Sequence, residues 1–218
     1  MVGEVQGETL RDFFDTRFVY LQKTHGISLE EFTNRGENEL RKICEIPKRA
    51  AVNLWFERDL FCQVNLWFSV HLLHRYTKVE KISLVLPTSS LQYGFGGMDT
   101  TELKQAFEHK QSLSKEQVQT MDQLWLNYQQ QQYRQMVAIA QNHQTTLPFL
   151  LPAVEAQLER IPDKDGLGHP EKLMLSLQEE LQTTDFPTLF KAFCERAPIY
   201  GFGDSQVLEI WNRIKEIP

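Results

Sequence analysis

The chain reads as an α/β protein: a small parallel-type sheet with flanking helices over residues 1–144, followed by an all-helical domain over residues 145–218. Three observations predict this. Two short apolar runs, near residues 51–56 and 81–86, show no polar–apolar alternation, as expected of strands covered on both faces. Between them, residues 60–75 are apolar around most of a helical circumference, the pattern of a sandwiched rather than surface-laid helix. Beyond residue 144 the periodic segments have helical spacing and no strand-like run occurs.

In chain order, Leu10, Phe13, Phe14, Phe18 and Leu21 set an apolar stripe at helical spacing that stops at His25-Gly26. Ser28-Leu29-Glu30-Glu31 has capping-box form and starts a second helix that should reach Ile46, before Pro47. Ala51–Phe56, the helix over 60–75 and Lys81–Leu86 then form a strand–helix–strand unit with a right-handed crossover. A loop containing Tyr93-Gly94-Phe95-Gly96-Gly97 follows. Asp99-Thr100-Thr101-Glu102 and Ser114-Lys115-Glu116-Gln117 repeat the capping-box signal. The second opens a helix expected to run unbroken through Gln129–Gln132 to about Asn142, because aromatic and aliphatic residues interleave with the glutamines. Further helices are expected at 148–160, 170–182, 186–196 and 204–216, with Pro170 in a first turn and Asp204 as a cap. Two strands rarely make a stable sheet. Further strands should come from Val2–Val5, from a partner, or from sequence outside this chain.

Composition narrows the function classes. No apolar run reaches the roughly 18 residues needed to span a bilayer, and Met1–Glu8 has no signal-peptide form. Cys44, Cys62 and Cys194 are odd in number and widely spaced, which argues against a disulfide framework and fits a reducing cytoplasm. The net charge of −6 gives no support to nucleic-acid or membrane affinity. Residues 145–218 carry 7 basic and 12 acidic groups, a net of −5. A DNA reader built from the last helices, with Lys164, His169 and Lys172 as its nearest basic groups, is therefore disfavoured.

The candidate site is the triplet Glu57-Arg58-Asp59, set between Asn53-Leu54-Trp55-Phe56 and Leu60-Phe61-Cys62-Gln63 where a strand ends and a helix begins. Ligands of open α/β folds settle beyond such strand ends. Glu57 and Asp59 can act as acid and base or hold a divalent metal through oxygen. The plainer alternative is that Asp59 caps the next helix while Glu57 and Arg58 face water or pair for under about 1 kcal/mol. Gly94, Gly96 and Gly97 lie in a strand-to-helix loop that can approach an anion, with Arg58 as a second anion contact. The loop matches neither dinucleotide nor Walker fingerprints. If the strands are parallel, it emerges at the same sheet edge as the triplet. His71 and His74 share a helix face but fall short of a metal site, and Cys62 lies about 13 Å along the helix from His71. A structural role is expected for both histidines.

These residues also carry a likeness. Asn53-Leu54-Trp55-Phe56-Glu57-Arg58-Asp59-Leu60-Phe61-Cys62-Gln63, Gly94-Phe95-Gly96-Gly97, and the stretch from Gly166-Leu167 that closes at Tyr200-Gly201-Phe202-Gly203-Asp204 resemble a bacterial family named for a domain of unknown function, number eighteen thirty-five. The resemblance implies a bacterial protein. It also implies that an N-terminal strand segment usual in the family is lacking here, since Gly3-Glu4-Val5 matches the stretch that follows it. It brings no activity with it.

Without a complete catalytic set, the first expectation is a protein-interaction or regulatory module whose acidic helical end docks a protein partner, a homodimer included. The alternative is an enzyme or ligand-binding protein for phosphorylated or nucleotide-like compounds, using the Glu57-Arg58-Asp59 tip and the Gly94–Gly97 loop, with a divalent metal as its cofactor.

Overall fold

In the computed structural model, residues 3–88 and 94–215 are described. Helices dominate, around a small mixed sheet of three strands. Strands β1 (Ala51–Trp55) and β2 (Lys81–Val85) pair in parallel, from Ala51 opposite Lys81 to Trp55 opposite Val85. The third strand, β3 (Gln111–Ser112), pairs antiparallel with β2. Leu113 extends that edge by donating its N–H to the Ile82 carbonyl at 2.9 Å. The parallel-only sheet expected from the sequence is thus corrected to a mixed one. A two-residue strand is too short to show a hydrophobic period. Gly3–Val5 form no strand, and Val2 lies outside the described residues. Val5 is instead buried in the core, its carbonyl accepting from Gln129 Nε2 at 2.7 Å. Strand β1 lies at the edge of the sheet, and its residues are half-buried or exposed.

Helix α4 (Leu60–Tyr76) links β1 to β2 and sits at the centre of the molecule. Leu60, Val64, Leu66, Trp67, Phe68, Val70 and Leu72 are buried on it and point around the circumference. A helix apolar on all sides must be covered on all sides, and α3 (Asn38–Cys44), α6 (Lys115–Gln129) and α8 (Leu150–Glu159) pack against it. On β2 successive side chains take opposite faces. Leu84 joins the main core, while Val85 packs with Met98, Ala106 and Leu103 under α5 (Thr100–Glu108).

The N-terminal helices are α1 (Leu10–His25), then α2 (Leu29–Phe32) and α3, joined through a π-helical stretch at Thr33–Glu37. Of the three capping boxes expected, those at Asp99 and Ser114 form reciprocally, while at Ser28 only the half in which its hydroxyl accepts the Glu31 N–H is present, at 3.1 Å. Asp99 and Glu102 exchange bonds of 2.7 and 2.9 Å, and Ser114 and Gln117 exchange bonds of 2.9 and 3.1 Å. The glutamine run differs from expectation: the helix breaks there, α6 ending at Gln129 and α7 (Tyr133–Asn142) starting after a turn with Gln131 at φ 56°. The break lets α7 fold back so that Met136 and Ala140 enter the same core as Leu124 and Trp125. After residue 145 come α8, α9 (His169–Leu181), α10 (Phe186–Arg196), a 3-10 turn at Pro198–Tyr200 and α11 (Asp204–Lys215). Asp204 is the first residue of its helix rather than the cap. One continuous buried cluster includes Phe13, Trp67, Val154, Tyr200 and Trp211, so residues on both sides of position 144 share it. Among the described residues, no helix is long and apolar enough to cross a membrane.

Leu66 is fully buried, whereas Leu175 on α9 is 40% exposed. Leu66→Ala should therefore cost about 2–5 kcal/mol in urea unfolding and Leu175→Ala about 0.5 kcal/mol or less.

Candidate functional site at the strand tips

After β1 the chain turns through Phe56, whose N–H donates to the Val85 carbonyl at 3.3 Å, and enters α4 three residues later. Asp59 Oδ1 accepts the Cys62 N–H at 2.9 Å and so caps α4. Glu57 Oε1 accepts the Phe95 N–H at 2.8 Å, from the 3-10 turn Gly94–Gly97 that follows β2. Gln63 Nε2 donates to the Glu57 carbonyl at 2.7 Å and braces the turn from below. Parallel pairing thus brings the Glu57-Arg58-Asp59 tip and the Gly94–Gly97 turn to one sheet edge. The cap anticipated for Asp59 is present. Among the described residues no hydrogen bond reaches Glu57 Oε2, whereas the Cys62 thiol adds a side-chain hydrogen bond to the Asp59 carboxylate.

Two glycines make this packing possible. Gly94 has φ +51°, and a Cβ there would fall 1.9 Å from the Glu57 carboxyl carbon. Gly201 has φ +61°, and its Cβ would fall 1.9 Å from Asp59 Oδ1. Each carboxylate is therefore roofed by glycine backbone from a distant segment. The two tripeptides Gly94-Phe95-Gly96 and Gly201-Phe202-Gly203 are alike in sequence and serve alike in space. In the sequence, Gly201 is marked by this short echo and by the stretch Tyr200–Asp204 that carries the family likeness. Gly96 and Gly97 are exposed, and Gly96 lines the crevice. Arg58 is exposed, with no hydrogen bond or ion pair among the described residues.

The crevice is a cavity of 610 Å³ lined by Glu57, Gly96, Phe190, Phe193, Cys194 and Phe202, with the exposed Lys191 also on its wall. Phe193 and Phe202 stack with centroids 6.4 Å apart and planes within 7°. Glu57, Asp59 and Cys62 each offer one donor atom, all within 4.8 Å of one another. Two oxygens and one sulfur suit zinc better than magnesium or calcium. Burial, with the nearby Asp59 charge, pushes the Cys62 thiol up to about 12, so it is neutral at ordinary pH. An anion fits this turn poorly. The Phe95 N–H that would receive it already serves Glu57, and two carboxylates stand beside it.

A second cluster lies on the opposite side of α4's length. Asp122 on α6 is buried and accepts from Arg75 at 2.9 Å through Oδ2, while its Oδ1 lies 2.7 Å from His71 Nδ1. Burial alone would raise the Asp122 carboxyl, but the hydrogen bonds to His71 and Arg75 outweigh it and hold the group below its ordinary value. Sequence reasoning treated His71 as structural and missed Asp122. The available signal was a carboxylate flanked by Met121, Leu124 and Trp125 on an otherwise apolar helix face. His74, by contrast, is exposed. Of the basic groups considered for DNA, Lys172 pairs with Asp163, and His169 Nδ1 lies 2.7 Å from the Tyr200 hydroxyl.

Comparison with known proteins gives no matching family model, no similar curated protein and no similar solved structure.

Gly94→Ala and Gly201→Ala should each destabilise the protein by about 1–3 kcal/mol, from positive φ and collision with a carboxylate. Gly26→Ala, with φ +66° but open space around it, should cost only the backbone part, about 1–2 kcal/mol. Chemical denaturation checks the order. A carboxyl held low in the folded state contributes stability that is present above its unfolded value and lost as pH falls through the folded one. Asp122→Asn should accordingly flatten the acid limb of the stability–pH curve and leave the limb above neutrality in shape.

Proposed function

We propose that this protein binds a small organic molecule in the strand-tip crevice, and that it does so as a ligand-responsive binding module. The supporting observation is a 610 Å³ cavity with aromatic walls and one anchored carboxylate, Glu57, facing it. Small-molecule sites typically combine an apolar cleft of this size with a few placed polar groups. The chemistry of the walls selects the ligand. Glu57 Oε2 seeks a hydrogen-bond donor or a cation, and parallel aromatic rings favour a flat apolar body that can carry positive charge. An amphiphilic amine fits this set. A phosphate does not, because the turn's N–H is spent on Glu57 and the Glu57 and Asp59 carboxylates stand beside it.

The crevice walls come from the sheet tips on one side and from α10 and the Gly201 turn on the other. Occupancy would therefore bias how these parts pack, which is the property a regulatory module needs. A second reading, favoured by the three donors within 4.8 Å, places a zinc-like cation on Glu57, Asp59 and Cys62. It would compete with an amine for Glu57.

The test is a thermal-shift comparison of 2-phenylethylamine, 3-phenylpropionate, adenosine diphosphate, zinc chloride and magnesium chloride. A ligand at a hundredfold its Kd stabilises the native state by about 2.7 kcal/mol, enough to raise Tm measurably. The amine should raise Tm in the wild-type protein and in Arg58→Ala, and fail to do so in Glu57→Gln. Stabilisation by phenylpropionate or the nucleotide but not by the amine would overturn the reading. Stabilisation by zinc that is lost in Cys62→Ser would select the metal instead.

A further inference from the structure

A second cavity, larger than the crevice, lies away from the strand tips. A cavity of 700 Å³ is bounded by the segment Gln6–Leu10, by α4 and by the C-terminal end of α6. We propose that this cleft is a second binding site, for an uncharged nucleobase-like heterocycle, with the His71 imidazole as its main hydrogen-bond acceptor.

His71 is held in a single orientation. Its Nδ1 meets the buried Asp122 carboxylate at 2.7 Å, and Arg75 fixes that carboxylate from its other oxygen. In the neutral imidazole the nitrogen facing a carboxylate carries the proton, which leaves the other nitrogen as a lone-pair acceptor. Nε2 has no partner among the described residues and is not sealed from solvent, while His71 itself lines the cleft. The Arg75–Asp122 pair already ties α4 to α6, so the oriented histidine is not needed as a crosslink.

The surrounding groups define the ligand's shape and charge. Phe13, Phe68 and Trp125 form the floor, with Phe68 4.6 Å from Trp125 and 4.7 Å from Phe13 between ring centroids. All three rings are almost fully buried, so the floor is a packed apolar surface against which a flat ligand can lie, not a set of open ring faces. Gln130 and Gln131 stand exposed at the rim, while the Gln129 amide is already held by the Val5 carbonyl; Gln131 holds φ 56°, a conformation that non-glycine residues adopt at a cost. Side-chain amides pair a donor with an acceptor and match the paired edges of nucleobases. Among the described residues no Lys or Arg lines the cleft, and Glu8 does. A phosphorylated ligand would meet a like charge and no counter-charge. The cleft thus selects the base or nucleoside over its nucleotide.

The experiment titrates the full chain with each of the four ribonucleosides and their 5′-monophosphates, following heat and the His71 ring resonances by NMR. At least one nucleoside should bind saturably and shift the His71 signals, and its monophosphate should bind at least about tenfold more weakly, a difference near 1.4 kcal/mol. His71→Phe should abolish the binding, and Gln130→Ala, on an exposed residue that cannot unfold the protein, should weaken it about threefold or more. Glu57→Gln should leave it unchanged, which separates this site from the strand-tip crevice. No binding by any nucleoside, equal or tighter binding of the monophosphate, or wild-type affinity in Gln130→Ala would each overturn the proposal. Should His71→Phe fail to fold, Gln130→Ala decides alone.

Discussion

The hydrogen bond from the Phe95 N–H to the Glu57 carboxylate joins the tip of β1 to the turn after β2, and the strand-tip architecture depends on it. A carboxylate in a partly buried site must find donors or lose its charge. Here one oxygen takes a backbone donor from a segment far along the chain. The bond requires Gly94, whose missing side chain lets the carboxylate lie against the backbone. Asp59, two residues on, bonds within its own helix, capping α4, and lies against the Gly201 backbone. Of two acidic groups spaced two apart, one thus pins a remote glycine turn by a hydrogen bond and the other packs closely against a second, both at the start of the central helix.

That arrangement explains why the helical C-terminal part and the sheet share a core. The Gly201 turn follows the 3-10 segment carrying Tyr200, which is fully buried and stacks on Phe193 and Phe202. Burial pushes the Tyr200 phenol above its ordinary value, so it stays protonated as a partner for His169. The aromatic stack therefore serves two ends. It closes the core beneath α4, and its outer rings form the wall of the crevice. A site built this way is preorganised by packing, and its floor is as rigid as the core it belongs to.

Much of this was legible in the residues. Local signals read well because their physics is local. Reciprocal capping at Asp99–Glu102 and Ser114–Gln117 needs only neighbours, and the all-round apolarity of α4 announces a central helix wherever it is placed. Parallel pairing of the two largely apolar runs then brings Glu57 and Gly94 to one edge. The losses have equally physical causes. Strand β3 is two residues long and carries no period. The break at Gln131 comes from α7 folding back on the core, a tertiary demand that overrode the helix propensity of glutamine. Asp122 meets His71 across 51 positions, and Gly201 meets Asp59 across a still longer span, distances at which one sequence offers composition but no register.

The central claim is that the strand-tip crevice receives a ligand through Glu57. The most direct measurement is an NMR titration of the uniformly labelled protein with 2-phenylethylamine, mapping backbone amide shifts. The account predicts saturable shifts concentrated at Phe95, Gly96, Cys194 and Phe202, absent in Glu57→Gln. Shifts that never saturate, or that gather elsewhere on the surface while these four amides stay still, would contradict it.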